Sequence, residues 1–97
     1  MPVYIMLMNL TEQGVKGIKE QPNNIQEAIQ QGEAMGGKML GFYLTMGDYD
    51  YVAIAEAPND EVMATFLLGQ ATGGNVRTKT LKAFTLEEFA GFVGNLP

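Results

Sequence analysis

The 97-residue sequence has no cysteine, no histidine and no tryptophan. The absence of Cys and His excludes disulfides, thiol nucleophiles, zinc sites built from these residues, and imidazole acid–base catalysis. Basic side chains are few as well, since six Lys and Arg stand against eleven Asp and Glu, for a net charge of −5. That sign is wrong for a protein that binds nucleic-acid phosphates. We therefore expect no nucleic-acid partner and none of the most familiar active sites.

Long apolar runs and targeting signals are also missing. The N-terminal residues MPVYIMLMNL carry no basic segment, and their apolar run is far shorter than the roughly 20 residues of a membrane span. We expect no membrane partner and a cytoplasmic protein. The length predicts one domain over residues 1–97 with a thin core, which dimerisation would help to stabilise.

The apolar pattern predicts an α+β fold of the ferredoxin-like βαββαβ type, with a four-stranded antiparallel sheet and a short C-terminal helix. Glycines 14 and 17 weaken the segment before Pro22, so we expect a frayed helix or loop there. A Thr85-x-x-Glu88 capping box begins the last helix. The predicted strands cover residues 3–10, 38–46, 51–57 and 76–84, and the two main helices end at Gly36-Gly37 and Gly73-Gly74.

Both faces of the predicted sheet are apolar. Two helices cover only one face of such a sheet, so the other face of a monomer should be polar. In the first strand, however, Val3, Ile5 and Leu7 alternate with Tyr4, Met6 and Met8. A large exposed apolar patch is rare on monomers. We therefore predict a homodimer, or a higher homo-oligomer, packed sheet to sheet.

Bulk and branching suggest which side chains face the helices. We assign to the helix side the set Val3, Ile5, Leu7, Leu40, Phe42, Leu44, Val52 and Ile54. The other set, which includes Ala53, then lines the space between the two sheets. We predict there a cavity for a small apolar or amphipathic molecule, bound by Met6, Tyr43 and Tyr51. A filled dimer core is the alternative interpretation.

The turn between the second and third strands contains Gly47, Asp48, Tyr49 and Asp50. Clustered carboxylates can bind hard cations, but Asp in a glycine-containing turn usually bonds its own backbone. We interpret Gly47, Tyr49 and Asp50 as a structural turn motif, and we predict no metal and no cofactor. Arg77 and Lys79 share one face of the last strand, where they hold a carboxylate ligand, pair with acids of the partner or protect the sheet edge.

Several segments resemble the GYD-domain family of small bacterial and archaeal proteins. The matching segments are YIML at 4–7, GFYLTMGDYDYV at 41–52, EAPND at 56–60, GNVRTKTLKAF at 74–84 and EEF at 87–89. The resemblance implies a dimeric α/β barrel of ferredoxin-like subunits, in a family whose biochemical role is largely unassigned. A more distant resemblance, through Gly74, Val76, Thr78 and Thr80, is to the effector-binding domain of leucine-responsive transcription regulators. The helix-turn-helix that normally precedes that domain is missing here.

Three function classes remain open. The leading hypothesis is a homodimeric module that binds or senses a small ligand. The alternative is a cofactor-independent enzyme of the dimeric-barrel monooxygenase or isomerase type, which without His would transfer protons through Tyr43, Tyr51 or a carboxylate. The third is a purely structural assembly protein.

Overall fold

A computed structural model describes residues 1–97 and confirms the predicted ferredoxin-like α+β architecture. The strands form one antiparallel sheet in the order β2-β3-β1-β4. The elements in chain order are β1 (Val3–Leu10), α1 (Glu12–Lys16), a 3₁₀ turn (Ile18–Glu20), α2 (Gln21–Ala34), β2 (Lys38–Leu44), β3 (Tyr51–Glu56), α3 (Asp60–Gly73), β4 (Val76–Ala83) and α4 (Leu86–Gly94).

The segment after β1 is better ordered than the sequence predicted. The Thr11 side chain caps α1 by accepting a hydrogen bond from the Gly14 backbone N–H at 3.1 Å. The Thr11 backbone N–H donates to the carbonyl of Asn75 at 3.0 Å. A Cβ at Gly14 would lie only 2.2 Å from that same carbonyl oxygen. Gly14 thus permits a close backbone approach to the start of β4, and these tertiary contacts outweigh the low helix propensity of glycine.

Side-chain caps begin the two later helices, and the one at Thr85 was predicted from the sequence. Asn59 precedes α3 and accepts from the Val62 N–H at 2.8 Å. Thr85 and Glu88 form the full capping box of α4, with each side chain bonded to the other residue's backbone N–H. Such caps satisfy N–H groups that the first helical turn leaves without partners.

The core lies between α2, α3 and one face of the sheet, and the predicted assignment of the two faces is wrong for β1 and β3. The helix side carries Tyr4, Met6 and Met8 of β1, not the branched set. Small alanines in β3 let the helices approach the sheet, so bulk is supplied by helix side chains such as Phe66. The buried apolar residues are Tyr4, Met6, Met8, Tyr51, Ala53, Ala55, Ala57 and Met63.

An irregular register in β2 divides its side chains between the two faces. The pairing with β3 shifts between Met39 and Gly41. As a result Met39 and Phe42 both pack against the core, and Phe42 does so as predicted. Leu40, which we expected on the helix side, falls at this shift and is 44% exposed. Leu44 keeps the parity of Phe42 but ends an edge strand, where it is 78% exposed. A bulge of this kind interrupts the two-residue alternation on which a face assignment from sequence depends.

The opposite face of the sheet, called the open face below, is formed by the residues that alternate with the core set. Its centre is the cross-strand row of Ile54, Ile5 and Leu81 on β3, β1 and β4. Leu81 is 51% exposed, and the β1 and β3 residues are half-buried by their neighbours alone. The members of the open face are Val3, Ile5, Leu7, Asn9, Lys38, Gly41, Tyr43, Val52, Ile54, Glu56, Arg77, Lys79, Leu81 and Ala83.

Helix α4 leaves its apolar side chains largely exposed. Its large apolar residues Leu86, Phe89, Phe92 and Val93 are between 49% and 81% exposed. The ring of Phe92 meets that of Phe84 edge to face, with centroids 5.1 Å apart. None of these α4 side chains joins the core cluster. Residues 84–97, called the C-terminal arm below, therefore contribute little to the core of their own chain.

Candidate binding site

A cavity of about 110 Å³ lies between the sheet and the two long helices. Met6 and Ala53 form part of its floor, and Ile25 of α2 and Phe66 of α3 form part of its roof. The sheet positions come from neighbouring strands, since Met6 pairs directly with Ala53 in the β1–β3 register. Because alanine is small, this pairing leaves space that a larger side chain would fill.

A buried amide is the main polar feature of this cavity. Gln21, at the start of α2, lines the cavity and is only 3% exposed. Its Oε1 accepts a long hydrogen bond of 3.4 Å from the Tyr51 hydroxyl, while its Nε2 has no partner. Burial, and then the nearby Asp50 carboxylate, raise the pKa of Tyr51. The hydroxyl of Tyr51 therefore stays protonated at neutral pH and serves as a donor.

The rest of the lining is uncharged. None of the 18 residues that line the cavity is Asp, Glu, Lys or Arg. Polar amides stand at its helical side, where Gln70 of α3 donates to Gln31 of α2 at 3.1 Å. That hydrogen bond joins α2 to α3 next to the cavity. The arrangement favours binding of a neutral molecule over acid–base chemistry, since the one ionisable group present, Tyr51, is a weak acid made weaker by burial.

The structure brings together two of the three predicted ligand-binding residues, and on the face opposite to the one we expected. Met6 and Tyr51 both line the helix-side cavity. Tyr43 instead belongs to β2 on the open face and is 56% exposed. Its ring lies over Gly41, where a Cβ would come within 2.8 Å of it. The burial of Gln21 was not predicted, because a lone glutamine before a proline gives no signal of burial.

The turn from β2 to β3 is bonded to the neighbouring strand through Asp50. Its Oδ2 accepts from the Leu10 N–H at 2.9 Å, and its own N–H donates to the carbonyl of Met8 at 2.9 Å. Gly47 has a φ of +116°, which L side chains rarely adopt. The ring of Tyr49 lies 6.0 Å from the Lys79 ammonium. These contacts join the turn to β1 and β4, and its structural role remains a prediction.

A second polar cluster lies at the other end of β1. The Tyr4 hydroxyl donates to the Asp60 carboxylate, which also accepts from Lys82 at 3.0 Å. Burial, followed by this hydrogen bond, raises the pKa of Tyr4 to about 12. The Tyr4 and Lys82 hydrogen bonds lower the pKa of Asp60. The cluster joins the start of α3 to two strands and faces no cavity of its own.

No group of three or more Asp and Glu side chains is placed to hold a metal ion. No helix combines the length and the apolar character that crossing a membrane requires.

Comparison with known proteins identifies the family. Residues 4–93 match the GYD domain. The chain belongs to the GYD-domain family. This GYD chain is 33% identical over 89 residues to the "Glutamine synthetase and cystathionine beta-lyase binding protein" of Thermus thermophilus, and the match covers 91% of this chain and 94% of that protein. The predicted resemblance is thus confirmed.

A solved structure supports the fold of this GYD domain. The crystal structure of MtbAldR superimposes with a TM-score of 0.60 over 87% of this chain, at 15% sequence identity. The chain spans about half the length of that protein, 52%. At this low identity the similarity is one of fold.

Proposed function

We propose that this GYD protein is a homodimeric binding module that associates with a metabolic enzyme. The observation that carries the proposal is the open face, an apolar surface at the centre of the sheet that no helix of the same chain covers. Monomeric proteins rarely expose a contiguous apolar patch larger than a few hundred Å². The cytoplasm is the compartment that we propose for this association.

A second copy of the chain is the proposed occupant of the open face. A two-fold axis places the same patch against itself, so the row of Ile5, Ile54 and Leu81 meets the same row of the partner. The interior between the two sheets is then lined by branched side chains, which pack well on pleated surfaces.

The C-terminal arm and the open face carry opposite charges, which suggests that the arm also contributes to the dimer interface. The arm carries Glu87 and Glu88 and no basic residue, while the open face carries Arg77 and Lys79 on β4. Each arm has an exposed apolar side and each sheet has an exposed apolar face with a basic edge. We propose that the arm of one copy packs along β4 of the other, with Glu87 near Lys79 of the second copy.

Exchange of the two charges tests this arrangement. Lys79→Glu alone and Glu87→Lys alone should each weaken the dimer, because each creates two like-charge contacts across the two-fold axis. An equimolar mixture should regain a stable heterodimer, because both contacts then join opposite charges. Glu27→Lys, an exposed change on α2, serves as the control. Sedimentation equilibrium at low salt measures the masses. A mixture that associates no better than the separate variants would contradict the arm placement, and a monomeric wild type would contradict the dimer.

The enzyme partner is proposed from the relative. That protein is named for binding a glutamine synthetase and a cystathionine beta-lyase, and it is similar to this chain over nearly its whole length. In the proposed dimer the outer side of α3 remains free, and Leu68 there is 70% exposed. Single exposed leucines are common on protein surfaces, so Leu68 alone is no evidence for a binding site. The proposal of enzyme binding comes from the relative, and Leu68 is the position at which we test it.

Binding to the purified enzymes of the same organism tests this part. Wild-type protein should co-elute with at least one of the two enzymes in size-exclusion chromatography, and Leu68→Lys should weaken the complex without altering the dimer. Val15→Lys, an exposed apolar change on α1 outside the open face, the arm and α3, is the matched control for lost apolar area. Failure of both enzymes to co-elute at concentrations near 10 µM or above would contradict the enzyme-binding proposal.

Small-molecule binding in the helix-side cavity is a second candidate function. The observation that favours it is the Gln21 amide, which is buried beside an open volume with its nitrogen unpaired. An unsatisfied buried donor costs about 1–3 kcal/mol, and a bound acceptor would remove that cost. Met6 and Tyr51 are the predicted ligand residues that this site retains, whereas Tyr43 lies outside it.

A further inference from the structure

We propose that the helix-side cavity takes a neutral molecule with one hydrogen-bond acceptor, of the ketone or amide class, on a compact branched or cyclic apolar body. This inference rests on the ligand-binding function proposed above and adds the chemical class of the ligand.

The size of the cavity limits the apolar body. A cavity of about 110 Å³ is somewhat smaller than the ~150 Å³ apolar cavity that accommodates benzene. It is much larger than the ~10–15 Å³ that a single water needs. A branched or cyclic ligand of about six non-hydrogen atoms is therefore the appropriate size.

The walls of the cavity require an apolar surface on that body. Met6 and Met8 cover the sheet side, and Ile25 and Phe66 cover the helix side. Methionine side chains adapt their shape to a neighbour more easily than branched ones do. A compact hydrocarbon skeleton thus gains most of its binding free energy from burial in this site.

The unpaired amide N–H of the cavity favours a ligand that brings an acceptor. Gln21 Nε2 has no hydrogen-bond partner, whereas the one proton of the Tyr51 hydroxyl is already donated to Gln21 Oε1 at the long distance of 3.4 Å. A carbonyl oxygen that enters beside Gln21 would accept from this amide. A ligand that brought only donors would leave the Gln21 N–H without a partner.

The absence of charged lining residues excludes ions. A carboxylate or ammonium in this site would lose its hydration without gaining a counter-charge, which is costly in an apolar environment. The Asp50 carboxylate, which acts on the Tyr51 hydroxyl in the cavity wall, is negative and would repel an anion further. The predicted ligand is therefore a ketone or an amide and not the corresponding acid.

Three probes with the same branched six-atom skeleton test this class. They are 3-methyl-2-butanone, isobutyrate and 2,3-dimethylbutane, which present a neutral acceptor, a charged acceptor and no acceptor. Methionine methyl NMR shifts report binding, because Met6, Met8 and Met39 all line the cavity. We expect the ketone to bind at least tenfold more tightly than either of the others, with the largest shifts at these three methyl groups.

Substitutions test whether the Gln21 amide causes the preference for the ketone over the hydrocarbon. Gln21→Leu should reduce the preference for ketone over hydrocarbon to threefold or less while hydrocarbon binding persists. Gln26→Leu, an exposed change on the same helix, should leave the preference unchanged. Ala53→Leu should fill the cavity and abolish shifts from all three probes. The wild-type probe series decides the ligand class even if a buried variant fails to fold.

The outcomes separate this inference from the function on which it rests. If no probe shifts the cavity methyl groups at millimolar concentration, the ligand-binding function itself is wrong. If isobutyrate binds as tightly as the ketone, the site binds ligands but the neutral class is wrong. A preference for ketone that survives Gln21→Leu would overturn the role of that amide.

Discussion

The two faces of strand β1 differ in what covers them, although both are apolar. Tyr4, Met6 and Met8 are 4–8% exposed beneath the helices, whereas Ile5 and Leu7, their immediate neighbours, lie on the open face and are only half-buried. The helix face has adaptable and small residues, and the open face has stiff, branched ones. An apolar side chain in this sheet therefore indicates that another surface covers it. The type of side chain does not indicate whether that surface is a helix of the same chain or another molecule.

Shortening a side chain on one face of β1 or on the other should give the largest difference in the free energy of unfolding. Met6→Ala removes most of a buried side chain and should lower the free energy of unfolding by about 2–5 kcal/mol. Ile5→Ala should lower it by less than Met6→Ala at concentrations where the chain is monomeric. Urea denaturation at two protein concentrations measures both effects. Equal losses at low concentration would contradict the difference in coverage between the two faces.

Asp50→Ala should have the next largest effect, because the Asp50 side chain bonds the turn to the backbone of β1. Loss of the Leu10 N–H···Oδ2 bond should reduce the free energy of unfolding by about 1–3 kcal/mol. The conservative change Asp50→Asn keeps an acceptor oxygen and should cost less. Thermal unfolding of the two variants measures the difference, and an unchanged melting temperature for Asp50→Ala would show that the turn contributes no stability.

High pH should destabilise the folded chain, because the buried Tyr4 hydroxyl must then ionise. Because its pKa is about 12 in the folded state and about 10 when unfolded, the unfolded chain loses this proton first as the pH rises. The free energy of unfolding should therefore fall between pH 10 and pH 12. Tyr4→Phe should make this fall shallower, with the remainder due to Tyr51. An identical slope in the variant would contradict the proton linkage.

Low pH should produce a smaller loss of stability through the cluster of Tyr4, Asp60 and Lys82. The pKa of Asp60 is lowered in the folded state, so its contribution is present above the unfolded value near 3.8 and is lost as the pH falls through the folded value. Tyr4→Phe removes the first cause of that shift and should reduce the acid sensitivity. Acid unfolding monitored by circular dichroism measures it, and a variant as acid-sensitive as the wild type would exclude this contribution.

The sequence predicted the fold more completely than the site. Helix ends at Gly36-Gly37 and Gly73-Gly74, the cap at Thr85 and the apolar alternation of β1 are local signals, and local signals determine element order. Which face the helices cover depends on volumes contributed by α2 and α3 together, so the alternation alone could not settle it. The shifted register of β2 places Tyr43 on the face opposite to Met6 and Tyr51. The burial of Gln21 could not be predicted, because no pattern in the neighbouring sequence indicates it.

Sedimentation equilibrium of the wild-type chain beside Ile5→Lys tests the account most directly. We predict that the wild type at micromolar concentration has twice the 10.6 kDa mass of one chain. A lysine at the centre of the open face should give a folded protein with the mass of one chain, because it would bury an unpaired charge in the dimer. A wild type with the mass of one chain, or an Ile5→Lys variant that dimerises as tightly as the wild type, would contradict the proposal that a second copy covers this face.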